Sequence, residues 1–195
     1  MKETGTRPGG EELPTDAVIE HAALRLLQRD GVLAGLNLRE VADEAGVNRG
    51  LVYHYFGSRQ RLLRSALRRD AHRRLDAVAA GFELPMRERF TRFLALMVRQ
   101  RSAVEMVSLL VLDRFRELRF MPLRAETLEA LRRDRESGQV DVEDLEALHV
   151  ALVSLVYGYV VYRSAIADEI GVSPQELDKR VSAVFDRLLQ GLEPR

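Results

Sequence analysis

The 195 residues include no cysteine. That absence excludes a disulfide framework, a thiolate zinc site and a cysteine nucleophile together, and it fits a reducing cytoplasm. The opening residues, "MKETGTRPGGEELPTD", lack the apolar core of a secretion signal and read as a short flexible arm over residues 1–14. Long hydrophobic runs are also missing. The longest, "ALHVALVSLVYGYVVY" from Ala147 to Tyr162, is shorter than a membrane span and carries His149, Ser154 and three tyrosines. It reads as a helix buried on most sides, so no membrane partner is expected and the cytoplasm is the expected location. There is no sequence repeat, no low-complexity tract, no glycine-rich phosphate loop and no strand-like alternation between turn residues.

What remains is helical. Hydrophobic residues make up 46% of the chain, enough for a sizeable core. Thr15 is placed to cap a first helix with Val18, Ala22, Leu26 and Ile19, Ala23, Leu27 as one stripe, ending near Gly31. Two very short helices follow, then a long basic helix from Gly57-Ser58 to about Gly81. The segment "GFELP" marks a seam there. The chain thus divides into the arm, an N-terminal module over 15–81 and a C-terminal module over 82–195. Phe90, Phe93, Leu94 and Met97 share one later helix, and Met106, Leu109 and Leu110 the next, whose pattern runs on through Asp113 to Leu118. Pro122 interrupts, and "LRAETLEALRRDRESGQV" reads as an exposed helix stopped at Gly138. The last two helices are richest in apolar residues. The final one starts at "SPQE", with Ser173 as cap, Pro174 at the tolerated first position and Glu176 able to close a capping box.

Net charge is zero but unevenly placed. From Val47 to Arg74, eight arginines face one acid, Asp70, a net of +7 that the rest of the chain must balance. Such segregation is either a solvated helix face or the footprint of a polyanion-binding end.

The stretch "VADEAGVNRGLVYHYFGSR", Val41 to Arg59, favours the second. Asn37 and Glu40 form a capping box for a helix beginning at Leu38, with Val41, Ala42 and Ala45 facing inward. Gly46 ends it in a tight corner plugged by Val47. Asn48 caps a second helix, with Arg49 and Gly50 exposed and Leu51 or Val52 turned toward the first. Two such short helices joined by a three-residue turn containing glycine form a helix-turn-helix pattern. That scaffold places the second helix's N-terminal end in a DNA major groove. Arg49 then pairs with a guanine edge, Gly50 admits close backbone approach, and Tyr53, His54 and Arg59 meet phosphates. Phe56 is assigned to the core.

The residues "LREVADEAGVNRGLVYHYFGSRQRLL" resemble the DNA-binding module of the TetR family of bacterial transcription regulators over about Thr15 to Leu67. The likeness rests on an alanine-glycine-valine turn, a tyrosine followed by two residues and then phenylalanine, and a glycine-serine-basic corner. Asn48 stands where serine or threonine is commoner, and Arg59 replaces the usual lysine. By position, the resemblance implies DNA contacts from Arg39, Asn48, Arg49, Gly50, Leu51, Tyr53, His54, Tyr55 and Arg59. It implies an all-α fold: a three-helix DNA-binding domain followed by a helical ligand-binding and dimerisation domain. It further implies a homodimer built from the last two helices, a palindromic operator, and release when a small molecule fills a pocket. Repression is the commoner outcome in the family; activation by the same fold is the alternative.

The apolar wealth of the last two helices supports a dimer independently, because one subunit's core is too small to cover both stripes. Leu152, Val156, Leu177, Val181, Val184 and Leu188 are the candidate interface. Phe90, Phe93, Met97, Met106, Leu110, Phe115, Tyr157 and Tyr162 are candidate lining for an apolar cavity, with His149 or Arg163 as polar anchor; each also fits ordinary core. An apolar or aromatic effector is expected. A metal-dependent helical-bundle enzyme and a small-molecule-binding protein without a DNA role are the competing classes; Glu146 and His149 have the spacing of a carboxylate-bridged iron pair, but that chemistry needs a second such pair and the sequence has none. No metal or other cofactor is expected.

Overall fold

A computed structural model of the chain describes residues 13–30, 36–69, 71–112, 114 and 118–194. Every regular element among them is an α-helix. In chain order these are α1 (Thr15–Asp30), α2 (Leu38–Ala45), α3 (Arg49–Phe56), α4 (Arg59–Arg69), α5 (Ala71–Ala79), α6 (Met86–Arg99), α7 (Arg101–Leu112), α8 (Arg124–Glu136), α9 (Leu145–Glu169) and α10 (Pro174–Gln190). They fall into two compact units, one of residues up to 72 with 106–118, the other of 73–105 with 119–195. Helix α5, which the sequence reading placed in the N-terminal module, belongs almost entirely to the second unit. Residues 1–12 of the expected arm, Gly31 at the expected end of α1, and Phe115 lie outside the described residues.

In the first unit α1 buries Ala17, Ile19, Ala22, Ala23, Leu26 and Leu27, while Val18 sits half-buried at the stripe's edge. Thr15 is the first helical residue and not the cap. The carbonyl of Pro14 accepts the first helical bond, from Val18 N at 3.1 Å. Against α1 pack Val41 and Ala42 of α2 and Leu62, Leu63, Ala66 and Leu67 of α4, while α3 packs on α2 and α4 with Val52 and Phe56, all buried. Full burial stabilises each larger side chain by roughly 1.5–3 kcal/mol, which holds helices of eight residues that would not persist alone. Ion pairs fix their order. Arg25 of α1 meets Glu44 of α2 at 2.8 Å, and Arg69 of α4 reaches Asp16 at 2.8 Å and the buried Glu20 on α1. From α7, Met106 and Leu110 are buried in this unit.

The second unit is built around Phe90, Leu94, Leu131, Leu152, Val156 and Phe185, contributed by α6, α8, α9 and α10. The expected long basic helix is described as two, α4 and α5, with residue 70 outside the described set. Helix α8, read from sequence as exposed, buries Thr127, Leu128, Ala130, Leu131 and Asp134. Its arginines and glutamates line only the outer face. Helix α9 is also longer than its apolar run suggested. At 25 residues, with an 18-residue window of mean hydropathy 1.6, it is long and apolar enough to cross a membrane by length and composition. One side of it packs into the unit's core, but only 28% of that window is buried, so the helix is not covered on most sides as its run suggested. Leu148, Leu152, Val156 and Val160 pack inward, and Arg163 makes a two-pronged pair with Asp178 of α10 at 2.6 and 2.5 Å. The hydroxyl of Tyr159 donates to the same carboxylate at 2.7 Å. At the start of α10, Ser173 Oγ accepts from Glu176 N at 3.1 Å, whereas the Glu176 carboxylate lies 4.0 Å from Lys179 Nζ.

Candidate nucleic-acid interface and internal cavity

The corner between α2 and α3 is built from caps. Asn37 Oδ1 accepts from Arg39 N at 2.9 Å, and its Nδ2 lies 3.5 Å from Glu40 Oε1, so the box closes through side chains. Gly46 adopts φ +67, ψ +30, the left-handed conformation that costs other residues about 1–2 kcal/mol. The next amide, Val47 N, turns back to Ala42 O at 3.0 Å. Asn48 Oδ1 then accepts from Gly50 N at 2.8 Å and starts α3. Of the two inward candidates, Val52 is wholly buried and Leu51 half-buried.

With Val52 and Phe56 inward, α3 turns Arg49, Gly50, Tyr53, His54 and Tyr55 to solvent. Arg49 Nη2 lies 3.3 Å from Tyr53 Oη, and its guanidinium carbon is 5.5 Å from the centre of that ring. His54 and Tyr55 meet edge to face at 5.6 Å. Large exposed aromatics beside an arginine form a surface that is apolar, cationic and rich in donors at once. Gly57, at φ +69, closes α3 by donating to Tyr53 O at 2.8 Å. Ser58 Oγ accepts from Arg61 N at 3.3 Å and opens α4, leaving Arg59 half-buried at its first position. Arg39 is exposed on the first turn of α2. Of the sequence-derived set, Arg39, Asn48, Arg49, Gly50, Tyr53, His54 and Tyr55 are exposed on the helix-turn-helix, and Leu51 and Arg59 are half-buried beside them.

The pocket candidates separate. A cavity of about 40 Å³ lies in the second unit, and of those candidates Phe90, Phe93 and His149 line it. Met97 is buried in the unit's core without lining it, and Met106 and Leu110 belong to the first unit. Tyr157 faces Phe120, ring centres 5.0 Å apart, and Tyr162 is 62% exposed. Arg163 is occupied by Asp178. Residues that the sequence did not single out complete the wall, above all Phe82, Arg89, Thr127 and Val153. Arg89 gave no sequence signal because it lies in a run of charged residues and its partner Asp134 is 45 residues away. Burial pushes the His149 imidazole below its ordinary 6.5, Arg124 acts in the same direction, and Glu146 opposes them.

The candidate dimer residues also divide. Leu152, Val156 and Leu177 are buried within the subunit and Val181 is half-buried, whereas Val184 and Leu188 are 57% and 54% exposed. On α9 the exposed apolar side consists instead of Val150, Leu155, Val161, Tyr162 and Ile166.

A capped, glycine-cornered pair of short helices on a helical scaffold defines a helix-turn-helix protein by class. The pattern describing "Bacterial regulatory proteins, tetR family" matches residues 19–66. The HTH-type transcriptional regulator BetI of Agrobacterium fabrum is 44% identical over 75 residues, 37% of this chain and 34% of that protein. The match thus spans about a third of the length of the curated relatives. A protein of unknown function from Rhodococcus sp. RHA1 has the same fold over 96% of this chain and 100% of its own, with TM-score 0.69 and 21% identity. A TetR family transcription regulator from Marinobacter aquaeolei VT8 matches over 93% and 96%, with TM-score 0.65 and 16% identity. Over residues 19–66 the chain is thus similar to the DNA-binding part of tetR-family regulatory proteins, and over its whole length it shares their helical fold.

Proposed function

We propose that the protein binds a palindromic DNA operator as a homodimer, represses the adjacent gene, and leaves DNA when a small molecule occupies the second unit. The observation that carries this reading is the exposed face of α3, where Arg49 and Tyr53 stand together on a helix whose ends are fixed by Asn48 and Gly57. Arg49 reads a guanine edge, while Tyr53, His54, Tyr55 and Arg59, with Arg39, position the helix on phosphates. Gly50 adds no side chain and Leu51 contributes an apolar surface at the groove floor. Unpaired apolar residues on α9 and α10, Val184 and Leu188 foremost, supply a two-fold surface. Two copies then present two α3 helices to half-sites about one helical turn or more apart. Occupancy of the cavity favours a dimer whose α3 spacing no longer fits the groove.

The test is a mobility shift with the DNA flanking the gene. A retarded band at a palindrome, competed by the same duplex and not by a scrambled one, is the expected result. Retardation independent of sequence would leave only a non-specific DNA binder.

A further inference from the structure

Two polar atoms in the second unit have no hydrogen-bond partner among the described residues and belong to side chains that line its cavity: Nε of Arg89 and Nδ1 of His149. Both residues are more than nine-tenths buried, at 6% and 5% exposure. Buried groups of this kind are rare in folded proteins, because an unpaired donor forfeits its hydration with no return. Two such atoms on side chains that line one cavity point to a binding site.

Their chemistry restricts what fits. The other nitrogens of Arg89 are committed, Nη1 to the carbonyl of Leu84 at 2.9 Å and Nη2 to the Asp134 carboxylate. The guanidinium cannot swing away, and its remaining Nε–H can only donate. Neutral imidazole offers a donor or an acceptor at Nδ1 according to tautomer. The charge of Arg89 is already matched by Asp134, and burial keeps His149 toward its neutral form. A cationic ligand would therefore enter without a counter-charge, and an anion would meet only the solvent-exposed Arg92. The rest of the wall is mostly apolar, from Phe82, Phe90, Phe93, Leu96 and Val153, with Thr127 and the exposed Arg92 as its other polar members. At about 40 Å³ the space equals that of three waters, taking roughly 10–15 Å³ for each.

We propose that this cavity takes a compact, uncharged molecule whose carbonyl or similar acceptor oxygen receives the Nε–H of Arg89, with His149 Nδ1 bonding the same group or its neighbour. This rests on the effector reading above and narrows it from an apolar or aromatic ligand to one with an obligatory acceptor. A ligand so bound acts on the residue that fixes the turn between α5 and α6, since Arg89 also holds Leu84 there.

The experiment uses the full chain without DNA, titrated by nuclear magnetic resonance with cyclopentanone, cyclopentane, cyclopentylamine and cyclobutanecarboxylate. Cyclopentanone binds tightest, by about tenfold or more over cyclopentane, as expected when a ligand satisfies buried donors. His149→Leu narrows that gap. The double variant Arg89→Met/Asp134→Leu, which removes the whole buried pair and so leaves no orphaned charge, narrows it further. Cyclopentane binding as well as cyclopentanone, either ion binding best, no probe binding up to its solubility, or a gap unchanged in both variants would each overturn the proposal. Because no DNA is present, such a result leaves the operator reading standing, and a failed mobility shift leaves this one standing.

Discussion

The carboxylate of Glu20, 2% exposed, is held by the guanidinium of Arg69, so that α1 and the C-terminal end of α4 are clamped across the base of the helix-turn-helix. Arg69 is itself about one-third exposed and also reaches Asp16 at 2.8 Å. The two partners are therefore unequal in what they leave behind.

Arg69→Ala abandons a buried carboxylate and is expected to cost about 3 kcal/mol, the lower end of the range for broken buried pairs, because the arginine is partly solvated. Glu20→Gln leaves the arginine free to face water and costs about 1 kcal/mol. Chemical denaturation of both variants measures the difference. Equal losses would show that Glu20 is solvated without its partner.

Gly46→Ala isolates a backbone effect, since a Cβ at this position meets nothing within 4 Å. Only the left-handed φ of +67 opposes it, at about 1–2 kcal/mol. Denaturation midpoints should fall accordingly. An unchanged midpoint would mean that the corner is not held in this conformation.

Val184→Glu or Leu188→Glu places a charge on an exposed apolar position without touching the subunit core. Sedimentation should shift from dimer to monomer, and operator affinity should fall about 10²-fold or more with the loss of bivalency. The buried Leu152, Val156 and Leu177 are unsuitable for this test, because charging them would unfold the subunit before separating two. A dimer surviving both single substitutions would move the interface elsewhere.

His149 makes a pH prediction. Its folded value lies below 6.5, so as pH falls the unfolded chain takes up the proton first. Stability is full above pH 6.5 and declines as pH drops from there toward the folded value, beyond which the loss stops growing. Thermal midpoints between pH 7.5 and pH 5 should fall less in His149→Leu than in the parent chain. Identical slopes would remove His149 from the account.

The helix-turn-helix was legible in sequence because its determinants are local: Asn37 and Asn48 cap from one or two residues away, and Gly46 meets a conformational demand of its own backbone. The face of α9 was not. Its apolar residues run nearly all the way round, so spacing cannot tell Val156, wholly buried, from Leu155, 40% exposed. That is why the buried Leu152 and Val156 were grouped with the exposed Val184. Helix α8 was misread for a related reason, since Arg89 hides Asp134 from 45 positions away and a charged residue was counted as solvated. Long-range pairing is a property of the packed unit and leaves no periodic trace.

The most direct test of the account is equilibrium binding of the parent chain, Arg49→Ala and Arg59→Ala to a double-stranded operator library across a salt series. The parent should show log affinity falling linearly with log salt. Arg59→Ala should weaken all sequences and reduce that slope by about 1 per subunit, whereas Arg49→Ala should lose about 1–3 kcal/mol of discrimination at one position in each half-site. No salt-sensitive binding of the parent to any duplex, the flanking DNA included, would contradict the central claim.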